Sequence, residues 1–317
     1  MQIDAFIEYA GGIRRYSPRT LDLYREVLER FEASGEALTP TGVRNYEVQL
    51  LDMEKMSART VGMHLSVLSS YCKFLMKKGE LESNPVHLVR RPKQEKRLPS
   101  FYREDAMKAY FSSTAPDADA LNLDFLLSLP PGDKTALELY ERRLRRLIVS
   151  VLYGTGVRRS ELISLNIRSL NLARHTLSVL GKGDKMREIP LTSSLCDEIS
   201  LYLKAADYML GPAGAEEPLL RTPSGKRLYT VFVDRAVKKE LSEAEGFTGR
   251  KSPHVLRHTI ASELLDGGTD LNSIKEMLGH SSLAATQVYT HSTIERLKKV
   301  YMNAHPRANK NGGNYGD

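Results

Sequence analysis

The hydrophobic pattern of this 317-residue chain keeps a helical period over most of its length and breaks it once, between Thr176 and Leu191. Thr176 to Leu180 and Met186 to Leu191 read as short β runs, and Gly181-Lys182-Gly183-Asp184-Lys185 joins them as a glycine-rich turn. Two such runs at that spacing predict a hairpin with a lysine at its tip. The fold class that follows is mainly α with a small β-sheet, an α+β chain.

Helix punctuation is clear in the first hundred residues. Ser17-Pro18 opens a helix with Leu21, Tyr24, Leu28 and Phe31 on one face, and Gly35 stops it. Thr39-Pro40 starts the next. From Ser57, Val61, Leu65, Leu68, Cys72 and Leu75 recur at helical spacing, and Lys77, Lys78 and Gly79 end the run where the helix dipole and a left-handed cap favour them. With a weaker segment from Ala5 to Tyr9, four helices are expected. Asn84 to Pro99 has three prolines, no periodicity and five basic residues against one acid, and reads as a linker. Residues 115 to 133, rich in Pro and Asp, read as a loop-like insertion. A helical run from Thr135 to Tyr153 enters a Gly154-Thr155-Gly156 turn, and a second helix passes through Glu161, Leu162 and Leu165.

Length and a 41% hydrophobic content suffice for two domains, each with its own core. The 46 Lys plus Arg against 39 Asp plus Glu give a formal charge of +7, which suits a polyanionic partner without requiring one. Cys72 and Cys196 each sit among apolar residues in a helical pattern, as buried thiols do, which points to a reducing, cytoplasmic setting. The N-terminus lacks a charged start followed by an apolar run, and no stretch reaches the roughly 18 apolar residues of a membrane span. The expectation is a chain neither exported nor embedded in a membrane.

Four segments carry residues suited to chemistry. Ser252-Pro253 begins a helix in which His254, Arg257 and His258 share a face. Two histidines at i and i+4 are a zinc spacing, but the residue after the first is Val255 rather than Glu, and a guanidinium between them repels a cation and welcomes a phosphate. Gly154 to Leu162 places Arg158 and Arg159 in a tight turn before a helix, where a surface salt bridge is the ordinary alternative. Leu278-Gly279-His280-Ser281-Ser282 ends one helix and begins another, and Tyr289 follows nine residues after His280. The hairpin presents Lys182. No acidic magnesium-binding cluster and no phosphate-cradling Gly-x-x-x-x-Gly-Lys loop is found, so no cofactor and no metal is expected.

Together these segments resemble the tyrosine recombinases of the phage integrase family, most closely those of the Xer type. Gly-Val-Arg158-x-Ser-Glu-Leu is similar to the first arginine box, Gly-Lys182-Gly to the hairpin lysine, and His254-x-x-Arg257-His258 to the second box; Leu-Gly-His280-Ser-Ser and Tyr289 complete the set in family order. The resemblance spans nearly the whole chain. It implies a SAM-like helical core-binding domain over residues 1–88, a basic linker over 89–100, a mixed catalytic domain over 101–306 ending in an exchange helix, and a flexible tail over 307–317. It departs from the family at Arg159, where relatives more often carry an aliphatic residue, and in the 115 to 133 insertion.

The resemblance also implies roles. Arg158 and Arg257 would hold the non-bridging oxygens of a scissile phosphate, for which planar forked donors are suited. Tyr289 would attack as phenolate with His254 accepting its proton, Lys182 would protonate the departing 5′ oxygen, and His280 would hydrogen-bond the phosphate. Glu161 and His258 would support the site. Arg19 and Arg59 on helix faces, and Arg90, Arg91 and Lys93 in the linker, are candidate DNA contacts. The implied partners are double-stranded DNA with specific paired sites, three further subunits, alike or paralogous, reached through the apolar stripe Ile294, Leu297, Val300 and Tyr301, and an accessory protein. The implied tasks are chromosome dimer resolution or the integration and inversion of mobile elements, in the cytoplasm at the nucleoid.

Overall fold

The computed structural model describes residues 1–93, 101–114, 122–181 and 185–279. The chain divides into two compact units, Met1–Arg97 and Leu98–Asp317.

The first unit is built from α1 (Ile3–Gly12), α2 (Pro18–Ala33), α3 (Pro40–Val48) and α4 (Ala58–Lys77), with a π turn at Gln49–Met53 and a 3-10 turn at Pro85–Leu88. The starts of α2, α3 and α4 are fixed by the capping chemistry expected of them: Thr20 N–H donates to Ser17 Oγ at 3.3 Å, Gly42 N–H to Thr39 Oγ1 at 3.1 Å, and Thr60 N–H to Ser57 Oγ at 3.1 Å. Val61, Leu65, Leu68, Cys72 and Leu75 of α4 form the buried face, packed with Val27, Leu28 and Phe31 of α2. The stretch from Asn84 departs from the linker expectation. Asn84 caps the 3-10 turn through Val86 N–H at 3.1 Å and donates to Ser69 Oγ at 2.8 Å, and Val86 and Val89 enter the core. Two spaced valines are too few to register as a period, so only their burial reveals them.

In the second unit α5 (Glu104–Ser113) and α6 (Leu123–Ser128) precede the long α7 (Lys134–Thr155) and the short α8 (Arg159–Ser164). A sheet of order β1-β2-β3 follows, from Leu170–Asn171, Thr176–Leu180 and Met186–Pro190, then α9 (Ser193–Leu210), α10 (Thr230–Glu243), α11 (Pro253–Asp266) and α12 (Leu271–Leu278). The hairpin is found where the period changes, with Val179 opposite Arg187 and Leu177 opposite Ile189, closed by Gly181 N–H to Lys185 O at 2.8 Å. Two features differ from the sequence reading. Part of the 115 to 133 insertion is helical, because Asn122 caps α6 through Phe125 N–H at 3.1 Å and Leu126 anchors it in the core. The two-residue β1 is too short to show alternation.

The middle of this unit is α7, which packs against α9, α10 and α11. Every residue from Arg143 to Thr155 is buried, so the charges on that stretch require partners inside the protein. Arg146 meets Glu198, to which Ser150 Oγ also donates at 2.7 Å, and Arg145 reaches Glu240 at 3.1 Å. The helix runs through Gly154 and Thr155, further than the expected turn, and stops at Gly156 in the left-handed conformation (φ +62°). A Cβ there would lie 2.5 Å from Leu278 Cδ2. Gly156→Ala is therefore expected to destabilise the protein by about 2 to 4 kcal/mol, combining left-handed strain with overpacking. An unchanged urea midpoint in that variant would contradict this account.

Candidate active site

The left-handed turn at Gly156 ends α7 and lets the chain reverse so that Arg158 stands at the start of α8. Glu161, three residues on, reaches back in a capping arrangement: it accepts from Arg158 N–H at 2.8 Å and from Arg158 Nη1 at 2.7 Å. Arg158 Nη2 donates to Gly279 O at 2.6 Å. Arg257, on the buried side of α11, donates through Nη1 to Gly156 O and through Nη2 to Leu278 O at 2.6 Å. The two arginines of the two sequence boxes thus come together at the C-terminal end of α12, on neighbouring carbonyls.

A third arginine joins them that the sequence reading missed. Arg187 on β3 donates from Nε to Met277 O at 2.8 Å, and its Nη1 and Nη2 bind both oxygens of Glu161 at 3.1 and 2.8 Å. A signal was present: Arg187 has the parity of Ile189 and Leu191, so alternation along β3 turns it to the buried face. Three successive carbonyls, of residues 277, 278 and 279, therefore each accept from a different arginine. The negative end of the helix dipole favours that placement.

The electrostatics follow from burial and this crowding. Burial pulls the Arg257 guanidinium down to about 10, and the neighbouring Arg158 charge acts in the same direction, yet it stays cationic at neutral pH. Burial alone would raise the Glu161 carboxyl, but the bonds from Arg187 and Arg158 overcome it and hold the group at about 2. Within this cluster three cations face a single anion, which leaves positive charge for a phosphate.

His254 and His258 lie one turn apart on the exposed side of α11, whereas Arg257 turns to the buried side, so the face that the spacing predicts for all three is divided between solvent and core. Partial desolvation and the positive charges of Arg159, His258, Arg250 and Arg257 hold His254 below the ordinary imidazole value. Arg159, the departure from the family pattern, pairs through Nη1 with Asp234 of α10 at 2.5 Å. Lys182, His280 and Tyr289 lie outside the described residues, as do the stripe from Ile294 to Tyr301 and the tail. In the first unit Arg19, Arg59, Arg90, Arg91 and Lys93 are all exposed, and Arg91 Nη1 reaches Ser66 Oγ at 3.2 Å.

Glu161 ionises at about 2 in the folded chain against 4.5 when free. Its stabilising contribution, on the order of 3 kcal/mol, is complete above the free value and is lost as pH falls toward 2. Glu161→Gln is expected to lower stability by that order at pH 7 and to remove this part of the acid dependence. Urea unfolding at pH 7 and pH 3 measures both, and an equal gap to the wild type at the two pH values would contradict the assignment.

Comparison with known proteins identifies the family of the chain. Residues 136–296 match the model of the Phage integrase family. The chain is 34% identical to tyrosine recombinase XerC of Chlorobaculum parvum, over 96% of this chain and 94% of that one. It is 36% identical to XerC of Pelobacter propionicus over 97% and 96%. Among solved structures, the Tn1549 transposon integrase in complex with circular intermediate DNA shares the fold with a TM-score of 0.62 at 18% identity, covering 93% of this chain and 98% of that one. A lambda integrase tetramer bound to a Holliday junction does so with a TM-score of 0.60 at 18% identity, over 91% and 78%. From its sequence boxes, its convergent arginines and these likenesses, the chain belongs to the phage integrase family, as a tyrosine recombinase of the Xer type.

Proposed function

We propose that the cluster at the end of α12 binds the scissile phosphate of duplex DNA and that the strand is cut and rejoined there through a 3′-phosphotyrosine bond. The observation that carries this reading is the meeting of Arg158 and Arg257 on adjacent carbonyls of Gly279 and Leu278, immediately before His280 in the chain. Each guanidinium has five donors. The two bonds described for each leave others to grip the non-bridging oxygens and to stabilise the pentacovalent transition state.

In this reading Tyr289 Oη attacks phosphorus while its proton passes to His254, whose lowered pKa favours the neutral, proton-accepting ring. The bond from phosphorus to the 5′ oxygen breaks, Lys182 donates the proton that oxygen needs, and His280 hydrogen-bonds the phosphate. Glu161 holds Arg158 in place, with His258 in support. The covalent bond conserves the energy of the broken one, so a 5′ hydroxyl from a second duplex can reverse the step and exchange strands.

The same reading assigns Arg19, Arg59, Arg90, Arg91 and Lys93 to the DNA backbone or groove, where cations add affinity that falls with salt. It takes the domain limits as residues 1–88 for core binding, 89–100 for the linker and 101–306 for catalysis. Four subunits, identical or paired with a paralogue, act on two specific sites through a four-way junction, joined by the apolar stripe from Ile294 to Tyr301. Resemblance to proteins named XerC favours chromosome dimer resolution as the task, at the nucleoid.

Trapping on a nicked suicide duplex tests the chemistry: a covalent adduct is expected with the wild type and none with Tyr289→Phe, whereas specific retention without adduct would mark a binder. The rate of trapping should rise with pH through an acid limb set by His254, below 6.5. Arg159→Leu removes a repelling cation and should move that limb up toward 6.5. A limb that does not move would separate Arg159 from His254.

A further inference from the structure

We infer that Arg187 is a positioning residue for the recombination reaction, tying the hairpin that carries Lys182 to the carboxylate that holds Arg158. The inference rests on the reading of Lys182 as the general acid.

Arg187 sits at an inward position of β3, opposite Val179 and only 5% exposed. A guanidinium buried on an apolar sheet face adds little stability, since its desolvation offsets most of what its partners return. What such a group does supply is geometry, because a planar fork bound at three points has one orientation. Its partners belong to two other elements: both oxygens of Glu161 on α8, and Met277 O at the end of α12.

The surrounding backbone is shaped to it. A Cβ at Gly279 would come within 3.0 Å of Arg187 Nη1, and one at Gly181 within 3.3 Å of the same atom. Gly181 is also the residue whose N–H closes the hairpin onto Lys185 O, and Lys182 follows it directly in the chain. The frame of the hairpin, Gly181 with Lys185 and Arg187, is thereby referenced to Glu161, and Glu161 binds Arg158 through both its backbone and its guanidinium. The described ends of the hairpin on either side of Lys182 are thus registered to Arg158 through Arg187 and Glu161.

The test compares two substrates in the same protein preparation, so that any loss of folded protein cancels. One is a nicked duplex bearing the binding site recovered by selection from a random-sequence pool. The other is identical but has sulfur in place of the bridging 5′ oxygen at the scissile phosphate. When Tyr289 Oη bonds to phosphorus, the oxygen substrate releases a 5′ alkoxide that must take a proton from Lys182, whereas the sulfur substrate releases a thiolate that departs without one.

General acid catalysis contributes about 10²- to 10⁴-fold, so Lys182→Ala should raise the sulfur-to-oxygen rate ratio at least 100-fold. Arg187→Lys keeps the charge beside Glu161 but loses the fork, and should raise the ratio at least tenfold. A raised ratio in Lys182→Ala beside a wild-type ratio in Arg187→Lys, with both substrates slowed alike, would overturn the inference and leave the general acid standing. An unchanged ratio in Lys182→Ala would remove the general-acid reading and the inference with it.

Discussion

Three consecutive main-chain carbonyls, those of Met277, Leu278 and Gly279, each accept a hydrogen bond from a different arginine. The donors come from the residue capping α8, from α11 and from β3, and this convergence organises the site. A helix C-terminus leaves such carbonyls without intrahelical partners, so capping the helix and gathering the cations are one event. Arg257 adds a fourth link by bonding Gly156 O, which joins the end of α7 to the same point.

Gathering three guanidiniums in a partly buried place is opposed by their mutual repulsion and by desolvation. Glu161 is the counterweight: its two oxygens serve Arg158 and Arg187 together. One carboxylate against three cations leaves the cluster short of negative charge, and in the proposed function a phosphodiester, above all one gaining charge in a pentacovalent state, would complete it. The same principle operates on a smaller scale along α7, where the buried Arg145 and Arg146 are matched by Glu240 and Glu198.

Much of this was legible in the sequence because its signals are local. Ser17, Thr39 and Ser57 cap helices by short-range hydrogen bonding, and the glycines around Lys182 mark a hairpin without knowledge of the rest of the fold. Arg158 and Arg257 stood out through short motifs with a chemical rationale. Arg187 did not, since its importance lies in contacts to Glu161 and Met277, 26 and 90 residues away. Its inward parity on β3 was visible, but a charged residue in a five-residue strand, here next to Glu188, is ordinarily read as facing solvent. The helix α6 was hidden for a related reason: its six residues are too few for a period, and what fixes them is the Asn122 cap and one leucine buried in the tertiary core.

The clamp on α12 addresses peptide oxygens, not side chains, and this divides the labour among residues 277 to 279. Met277 and Leu278 turn their side chains into the core, where they answer to volume and shape alone. Aliphatic drift at those two positions can proceed over evolutionary time without retuning the electrostatics above them, since every amino acid presents the same carbonyl. Gly279 has no such latitude, because any branch from its α-carbon would press on the Arg187 guanidinium.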